Sequence, residues 1–205
     1  MPTSHVWLSS SDPRFPLQLA QYLGVSAPSR IAFVGNPAIL STKAVGLICS
    51  VKCPGNIILQ TYDLAKKLRE AGVPVIGGFH SPMEQECLRI LLRGTQPIIV
   101  CQARGLQGMR LPAEHKLALQ EGRLLYLSTF PEKLRRPTVD TALARNRFVA
   151  ALAKNLIVPY AAHNSKTFDL CRLVVEWKKP IYTFAHDAGT LLLNLGAQPV
   201  DALAL

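Results

Sequence analysis

Residues 73–101 read VPVIGGFHSPMEQECLRILLRGTQPIIVC, and this stretch indicates the fold of the chain. Two short apolar runs, 73–76 and 97–101, enclose an amphipathic segment, 82–93, whose apolar side chains recur at helical spacing. The runs are continuous rather than alternating, which is typical of strands buried on both faces of a sheet. Gly94 follows the amphipathic segment and favours a helix end at that point. The stretch therefore predicts a strand, a helix and a second strand, the unit from which parallel sheets are built.

The same alternation extends along most of the chain. Further apolar runs, with amphipathic stretches such as 56–71 and 166–177 between them, lie at residues 31–34, 44–49, 124–127, 156–160 and 180–184. Regular alternation of this kind predicts an α/β fold, namely a Rossmann-like, doubly wound, mainly parallel sheet of about seven strands with helices on both faces. We expect residues 29–205 to form this domain and residues 1–28 to be a proline-containing N-terminal lead-in.

The composition limits the classes of protein to which the chain can belong. With 205 residues, 49% of them hydrophobic, it can bury a substantial core without disulfide or metal staples. Its longest apolar runs have about five to six residues, far fewer than a membrane span needs, and residues 1–16 lack a secretory pattern. We therefore expect a cytoplasmic protein without a membrane partner. The formal net charge of +10 favours anionic partners, among which nucleic acid, nucleotides and acidic lipids all fit.

Five cysteines, an odd number, lie mostly in apolar runs, so we expect reduced and packed thiols. Cys49 and Cys53 suggest a metal-binding pair, but no second pair of cysteines or histidines has ligand spacing. The glycine patterns of P-loops and of dinucleotide-binding folds are both missing from the sequence. The sequence thus predicts neither a metal nor a cofactor.

Ligands of doubly wound sheets bind at the carboxyl ends of the strands, so the loops that follow the strands are the candidate site. The first of these loops, residues 49–55, joins a buried strand to a helix start and offers backbone N–H groups, a hydroxyl and a lysine, which suit phosphate. The alternative interpretation is an ordinary turn between a strand and a helix. The candidate ligand-binding residues of this loop are Ser50, Lys52 and Gly55.

The second loop, residues 77–84, begins with two glycines that would let a ligand approach the backbone closely. Ser81 and Glu84 have the spacing of a capping box, which gives both residues a structural function. A lone histidine beside a strand end is also more often structural than catalytic. The candidate residues of a pocket wall are Gly77, Gly78, Phe79, His80 and Ser81.

The third candidate segment, Arg145, Asn146 and Arg147, is predicted to open a helix. Two arginines at a helix start oppose the helix dipole, so their presence favours a bound anion. The alternative is a pair of solvated arginines or ion pairs with an acid such as Asp140. Residues 133–137 form a further basic loop.

The fourth segment follows the sixth predicted strand and contains Ser165, Lys166 and Thr167. Ser165 is a predicted helix cap, and Lys166 and Thr167 are placed to reach a second phosphate. The alternative is a cap without a ligand.

Support for catalysis is weak. The G-x-S-x-G pattern of serine hydrolases is missing, and Glu84 is the single carboxylate at the predicted ligand edge, without a partner acid. The residues therefore favour a binding protein over an enzyme, and they predict no catalytic residue.

Taken in order, these loops resemble the DNA-processing protein A family, also called DprA or Smf. The resemblance covers roughly residues 12–202, and the motif R-N-R at 145–147 matches outright. The other landmarks are the lead-in DPRFP at 12–16, the strand ending at Gly35 and Asn36, Ser50, Gly78 with Glu84, Ser165 with Thr167, Gly189 with Thr190, and Gly196 with Ala197.

The chain departs from the family pattern at two loops. Val51 stands where the family has an arginine after Ser50, and Ser81 and Pro82 stand where it has Arg-Gly. Two positive charges are therefore missing, and Lys52 is a candidate replacement for one of them. The resemblance covers the Rossmann-like domain without the winged-helix domain that many members carry, so we expect a divergent, minimal member.

The resemblance implies a non-catalytic protein that binds single-stranded DNA during DNA processing and uptake in natural transformation. It also implies handover of DNA to a RecA-type recombinase, and a homodimer. Phosphates would be held by Lys52, Arg145, Arg147 and Lys166, and Phe79 would stack on a base.

Two other functions stay open on the sequence. The first is a nucleotide-binding sensor or a phosphoribohydrolase-like enzyme that acts on a nucleoside monophosphate. Gly77, Gly78 and Glu84 weakly resemble the glycine-rich loop and catalytic glutamate of such enzymes. The second is a protein-interaction module that kept the fold and lost the ligand.

Overall fold

The computed structural model describes residues 5–185 and 189–203, apart from the side chain of residue 202. Within these residues the chain forms nine strands and seven α-helices, with short 3-10 turns at Gly24–Ser26, Pro37–Ser41 and Val200–Ala202. In chain order the elements are β1 (Val6–Ser9), α1 (Gln18–Leu23), β2 (Arg30–Gly35), β3 (Val45–Leu47), α2 (Gly55–Glu70), β4 (Val75–Gly77), α3 (Pro82–Leu92), β5 (Ile98–Cys101), α4 (Ala113–Gln120), β6 (Leu124–Ser128), α5 (Val139–Leu152), β7 (Leu156–Ile157), α6 (Lys166–Glu176), β8 (Ile181–Thr183), α7 (Thr190–Asn194) and β9 (Gln198–Pro199).

All nine strands belong to one sheet, in the order β1-β2-β6-β5-β4-β3-β7-β8-β9. The seven strands from β6 to β9 in this order run parallel, whereas β2 is antiparallel to both β1 and β6. The predicted doubly wound, mainly parallel sheet is therefore confirmed. All seven predicted strands are present, and the two additional strands, β1 and β9, are edge strands of four and two residues. Three of the four residues of β1 are apolar, but they lie within the predicted lead-in, for which no strand was expected.

Two strands are three residues shorter than the apolar runs that predicted them. The run at 44–49 pairs over Val45–Leu47, and the run at 156–160 pairs over Leu156–Ile157. The two segments nevertheless stay paired beyond the end of β3, because the Ile48 N–H donates to the Ile157 carbonyl at 3.2 Å. Most of the extra apolar residues of the two runs are buried, among them Ile48, Cys49 and Val158, which explains their apolar character.

Helices cover both faces of the sheet, as alternating strands and helices require. On one face, α1, α5, α6 and α7 bury side chains such as Leu19, Phe148 and Val174 against the sheet. On the other face, α2, α3 and α4 bury Ile57, Leu91 and Ala118. Within the described residues, no helix has the length and apolar character needed to cross a membrane.

The predicted lead-in contributes to this architecture. Its strand β1 pairs with β2 over the whole length of β1, with Leu8 opposite Ile31. Leu8 and Leu19, from β1 and α1, are 1% and 0% exposed within the core that α5 and α6 cover. Residues before position 29 thereby supply an edge strand and a helix to the same sheet.

Candidate functional site

The strand order reverses between β3 and β7, which are direct neighbours in the sheet. From β3 the chain goes on to β4, β5 and β6 on one side, whereas from β7 it goes on to β8 and β9 on the other. We call the rim where the parallel strands end the carboxyl edge, and we call the place on it where the loops after β3 and β7 meet the crevice. Ligands of open α/β sheets bind at such a switch point.

Ser50 joins the two loops at the crevice. Its N–H donates to the Tyr160 carbonyl at 3.1 Å, and its hydroxyl donates to the Ser165 hydroxyl at 3.3 Å. The same hydroxyl oxygen accepts from the N–H of Ala162 at 3.2 Å, and Ser50 is buried. Ser50 therefore ties the loops together, a function that the phosphate-binding prediction did not include.

The start of α6 lies on the opposite wall of the crevice. Ser165 is the predicted N-cap, since its hydroxyl accepts from the N–H of Phe168 at 3.1 Å. Thr167 is buried, whereas Lys166 is exposed and forms a 4.0 Å ion pair with Asp169. Of these three predicted residues, Lys166 is the one that presents its side chain to solvent.

Glu84 holds the loops after β3 and β4 together. Its carboxylate accepts from the N–H groups of Cys49 and His80, each at 3.0 Å, and from that of Ser81 at 3.1 Å. The predicted capping box is present, because the Ser81 hydroxyl accepts from the Glu84 N–H at 3.2 Å. The sequence indicated the cap but not the bond to Cys49, which joins residues 35 positions apart.

The predicted stacking of Phe79 on a base is not supported by its placement. The ring is 5% exposed and packs in the core beneath α2 and α3, close to Gly77. Phe79 adopts a φ of +46°, an uncommon conformation for a residue with a side chain, and this turn directs the ring inward. The neighbouring His80 is exposed and is the residue of this loop that faces solvent.

The prediction that Arg145 opens a helix is wrong. Helix α5 begins at Val139, so residues 145–147 lie in its middle. Thr138 is the N-cap, and the hydroxyls of Thr138 and Thr141 form a reciprocal capping box. The acid in the first turn, Asp140, suits the helix dipole, so the unfavourable charge placement that suggested an anion does not exist.

Arg145 points inward from α5 and is 6% exposed. Its Nη1 donates to the Cys101 carbonyl at 3.3 Å, and its Nε donates to the Asn146 side chain at 2.7 Å. The guanidinium lies against Gly78 so closely that a Cβ on that residue would overlap it. Burial lowers the pKa of Arg145, and the charge of the nearby Glu84 acts in the opposite direction. Arg145 thus spans the ends of β4 and β5, and Gly78 is needed to admit it.

Arg147 lies on another face of α5, because residues two positions apart point about 200° away from each other on a helix. It is exposed and lines a groove between α5 and α6 with a volume of about 300 Å³. The polar and charged side chains of this groove belong to Asn146, Arg147, Lys166, Asp169, Arg172 and Glu176. The structure therefore separates the two arginines that the sequence placed in one phosphate site.

The loop after β3 presents a third exposed cation. Lys52 and Val51 are both exposed, so the position of the missing arginine faces solvent. Gly55 is the first residue of α2, and nothing lies within 4 Å of the place where its Cβ would be. The first turn of α2 is thus open toward solvent beside Lys52.

The thiols of Cys49 and Cys53 lie side by side in the same loop. Their contact raises the pKa of Cys49, together with burial, and lowers the pKa of Cys53. Of the cysteines, Cys49 is buried and Cys53 is half-buried. Across residues 5–185 and 189–203, no group of three or more His, Cys, Asp or Glu side chains is placed to hold a metal ion.

The predicted site residues consequently fall into two sets. Buried or partly buried residues hold the loops in place, namely Ser50, Gly77, Gly78, Phe79, Ser81, Arg145, Ser165 and Thr167. The other predicted residues are accessible to solvent, namely Lys52, Gly55, His80 and Lys166 at the carboxyl edge, and Arg147 with the half-buried Asn146 in the α5–α6 groove. The exposed cations suit an anionic ligand with more than one charge.

One family model matches most of the chain. The family model described as DNA recombination-mediator protein A matches residues 6–198, which include every residue of the site. A search among curated proteins finds no significant match to the sequence.

Solved structures show the same fold. DNA processing protein A from Streptococcus pneumoniae has a TM-score of 0.80 at 19% identity, over 96% of this chain and 71% of that one. DNA processing protein A from Helicobacter pylori, described for its single-stranded DNA binding mode, has a TM-score of 0.76 at 23% identity, over 97% and 91% of the two chains. The molybdenum cofactor carrier protein from Chlamydomonas reinhardtii is less similar, with a TM-score of 0.51 at 14% identity, over 75% and 85%. Since the family match spans nearly the whole chain, the protein belongs to the DNA recombination-mediator protein A family.

Proposed function

We propose that this protein binds single-stranded DNA at its carboxyl edge and acts in DNA processing without catalysing a reaction. The observation that carries the proposal is the family match, which includes the switch-point crevice and every exposed cation beside it. The DNA-binding protein from Helicobacter pylori shares the fold over 97% of this chain. The net charge of +10 supports an anionic polymer as the ligand.

Three exposed cations are the phosphate contacts in this proposal. Lys52 lies on the β3 side of the crevice, Lys166 lies on the β7 side, and Arg147 lies in the groove that begins at Lys166. Contacts of this kind neutralise backbone phosphates and carry little sequence preference. Arg145 acts indirectly, by holding the ends of β4 and β5 beneath the crevice.

The test is fluorescence anisotropy of a labelled single-stranded oligonucleotide at several salt concentrations. The variant K52Q/R147Q/K166Q removes the three contacts, and we expect the slope of log K against log salt to become shallower by about 2, since each lost contact to a single strand contributes about 0.7. The matched control K43Q/R93Q/K154Q removes three exposed cations from the opposite end of the strands, before β3, β5 and β7.

We expect the control to bind as the wild type does, because it changes the net charge equally but leaves the carboxyl edge intact. Equal losses in both variants would mean that binding follows net charge rather than the site. An unchanged slope in K52Q/R147Q/K166Q would refute the assigned contacts.

The proposal extends to the setting in which the protein works. As the family resemblance implies, we propose a cytoplasmic homodimer that acts in DNA uptake during natural transformation and hands its DNA to a RecA-type recombinase. Sedimentation at several protein concentrations tests the dimer. Recombinase filament assembly on DNA that this protein already covers tests the handover, and assembly no faster than on bare DNA would count against it.

Hydrolysis of a nucleoside monophosphate is not favoured. The Glu84 carboxylate is buried and already accepts three backbone N–H groups, so it is occupied as a structural acceptor. A panel of nucleoside monophosphates should show no turnover and should not displace the oligonucleotide. Turnover that disappears in E84Q, with the fold retained, would reverse this conclusion.

A further inference from the structure

A second cluster of cations lies on the carboxyl edge, outside the crevice. The loop after β5, residues 102–112, carries Arg104 and Arg110. The loop after β6, residues 129–138, carries three more cations. We call the patch that these two loops form the β5–β6 basic surface, and its cations are Arg104, Arg110, Lys133, Arg135 and Arg136.

The two loops pack into one continuous surface. The N–H of Gly105 donates to the Leu134 carbonyl at 2.9 Å, and the Ser128 hydroxyl donates to the Arg104 carbonyl at 2.7 Å. Gly105 lies so close to the backbone of Pro131 that a Cβ there would lie 2.6 Å from its carbonyl oxygen. At Gly108, the Nη1 of Arg135 lies 3.9 Å from the place of a Cβ, so this guanidinium reaches across to the other loop.

The cations of this surface are not neutralised by neighbouring acids. Arg104 is half-buried and the other four are exposed, and none of the five forms an ion pair with any residue that the structure describes. Glu132 is the one acid in the two loops, and it is directed toward β1. Its carboxylate accepts from His5 Nε2 at 2.9 Å and from Trp7 Nε1 at 3.4 Å.

Such a cluster repels itself and is stabilised when an anion binds across it. A nucleic-acid backbone fits better than an acidic protein, because protein interfaces usually have an apolar centre. The exposed large aliphatic side chains of the described chain include none from residues 102–112 or 129–138. The surface offers five cations along two loops, which suit a polymer with one phosphate per unit.

The β5–β6 basic surface lies on the same carboxyl edge as the proposed DNA site. Arg145 contacts the carbonyl of Cys101, and the loop after β5 begins at the next residue. The loop after β6 leads directly into α5, on which Thr138 precedes Arg145 by seven residues, or about 10 Å of helix. In the sheet, β4 alone separates β5 from β3, so the ends of β5 and β3 lie about 10 Å apart and a DNA strand that leaves the crevice beside Lys52 has this surface within reach.

We infer that the β5–β6 basic surface is a second phosphate-binding surface, which holds the backbone of the same DNA strand beyond the crevice. This inference rests on the proposed function, and it adds a prediction that the crevice alone does not make. Short oligonucleotides should occupy the crevice only, whereas longer ones should occupy both places.

The experiment compares labelled oligothymidylates of about 5 and about 20 nucleotides, the first near the lower end of the usual site sizes of single-strand binding folds and the second beyond their upper end of about 16. In the variant K133Q/R135Q/R136Q we expect affinity for the longer strand to fall at least tenfold, with a salt slope shallower by about 2. Affinity for the shorter strand should change less than twofold. The control K43Q/R93Q/K154Q should leave both affinities unchanged, and the charge-preserving variant K133R/R135K/R136K should retain long-strand binding.

The outcomes separate this inference from the proposed function. If the wild type binds both strands and K133Q/R135Q/R136Q binds the longer one normally, the second surface is refuted and the crevice stands. If the variant loses both strands equally, the loops belong to the crevice site and the inference is again wrong. If the wild type binds neither strand, the proposed function fails and the second surface fails with it. An unchanged thermal midpoint confirms that the exposed substitutions leave the fold intact.

Discussion

Gly78 and Arg145 form the contact on which the carboxyl edge depends most directly. The guanidinium lies over the backbone of Gly78, in space that a methyl group would otherwise occupy. Arg145 then reaches the end of β5 through the Cys101 carbonyl. A residue without a Cβ is therefore required by packing at this position, whereas the sequence suggested that the glycine admits a ligand.

We predict that Gly78→Ala destabilises the protein by about 2 kcal/mol, because the added methyl overlaps the buried guanidinium and overpacking typically costs 1–3 kcal/mol. Urea unfolding measures the change. The matched control is Gly55→Ala, where the added methyl meets no atom within 4 Å at an exposed helix start. We expect no loss of stability in the control, and an equal loss in both variants would show that the overlap is not the cause.

At the scale of elements, α5 is held at both ends. Thr138 caps its start, and Lys179, which precedes β8, closes its end. The ammonium of Lys179 donates to the carbonyls of Ala150, Ala151 and Ala153 at 2.7–2.8 Å and lies 3.9 Å above the ring of Tyr22. This one side chain therefore links α5 to β8 and to helix α1 of the lead-in.

We expect Lys179→Met to lower the free energy of unfolding by about 1–3 kcal/mol, because the carbonyls at the end of α5 lose a charged donor. Chemical denaturation measures the loss. Lys178→Met is the matched control, since Lys178 is the preceding residue and is exposed. If both variants were equally stable, the three hydrogen bonds would contribute nothing measurable.

The packing of α4 on β6 makes stability depend on pH. His115 on α4 is hydrogen-bonded to the Tyr126 hydroxyl on β6, and burial lowers its pKa, although Glu114 acts in the opposite direction. The unfolded chain then takes up the proton before the folded one does. Stability is therefore full above the unfolded pKa of about 6.5 and declines as the pH falls below it.

We predict that the wild type loses more stability between pH 8 and pH 5 than His115→Gln does, by up to about 1.4 kcal/mol for each unit by which the pKa is lowered. Urea unfolding at several pH values measures the difference. His163→Gln changes an exposed histidine and should keep the wild-type acid sensitivity. Identical pH profiles for wild type and His115→Gln would rule out His115 as the source.

At the scale of the whole molecule, the lead-in is part of the hydrophobic core. Leu8, Phe15 and Leu19 are all buried against the face that α5 covers. Burying each of these side chains contributes roughly 1.5–3 kcal/mol, whereas whole domains are stable by about 5–15 kcal/mol. The first 28 residues therefore supply a large share of the net stability.

We expect a chain that begins at residue 29 to lose cooperative unfolding, because β2 loses its outer partner and the core loses these side chains. Thermal unfolding followed by circular dichroism tests this. A paired test within the full chain is Leu19→Ala, which should cost about 2–5 kcal/mol, against Leu17→Ala, which should stay within about 0.5 kcal/mol. Leu19 is 0% exposed and Leu17 is 79% exposed, so equal effects would contradict this account.

Much of the fold could be predicted from local sequence alone. Continuous apolar runs between amphipathic segments identify β2 to β8 and the parallel sheet, because strands that are buried on both faces consist mostly of apolar residues. The caps at Ser81 and Ser165 could also be predicted, because a cap depends on residues only three positions apart. The edge strands β1 and β9 could not, because four and two residues are too few to show a periodic pattern.

The sequence by itself determined the doubly wound sheet, the loops that carry the site and the positive charge along them. Tertiary structure alone decided which of those residues are buried and which are exposed to solvent. Arg145 and Arg147 are two positions apart, yet one is buried against Gly78 and the other lines the α5–α6 groove. Glu84 binds Cys49 and Ser50 binds Ser165 across 35 and 115 positions. Periodicity and charge can be read from neighbouring residues in the sequence. The direction of a side chain and the identity of its distant partner depend on packing between elements that are far apart in the chain.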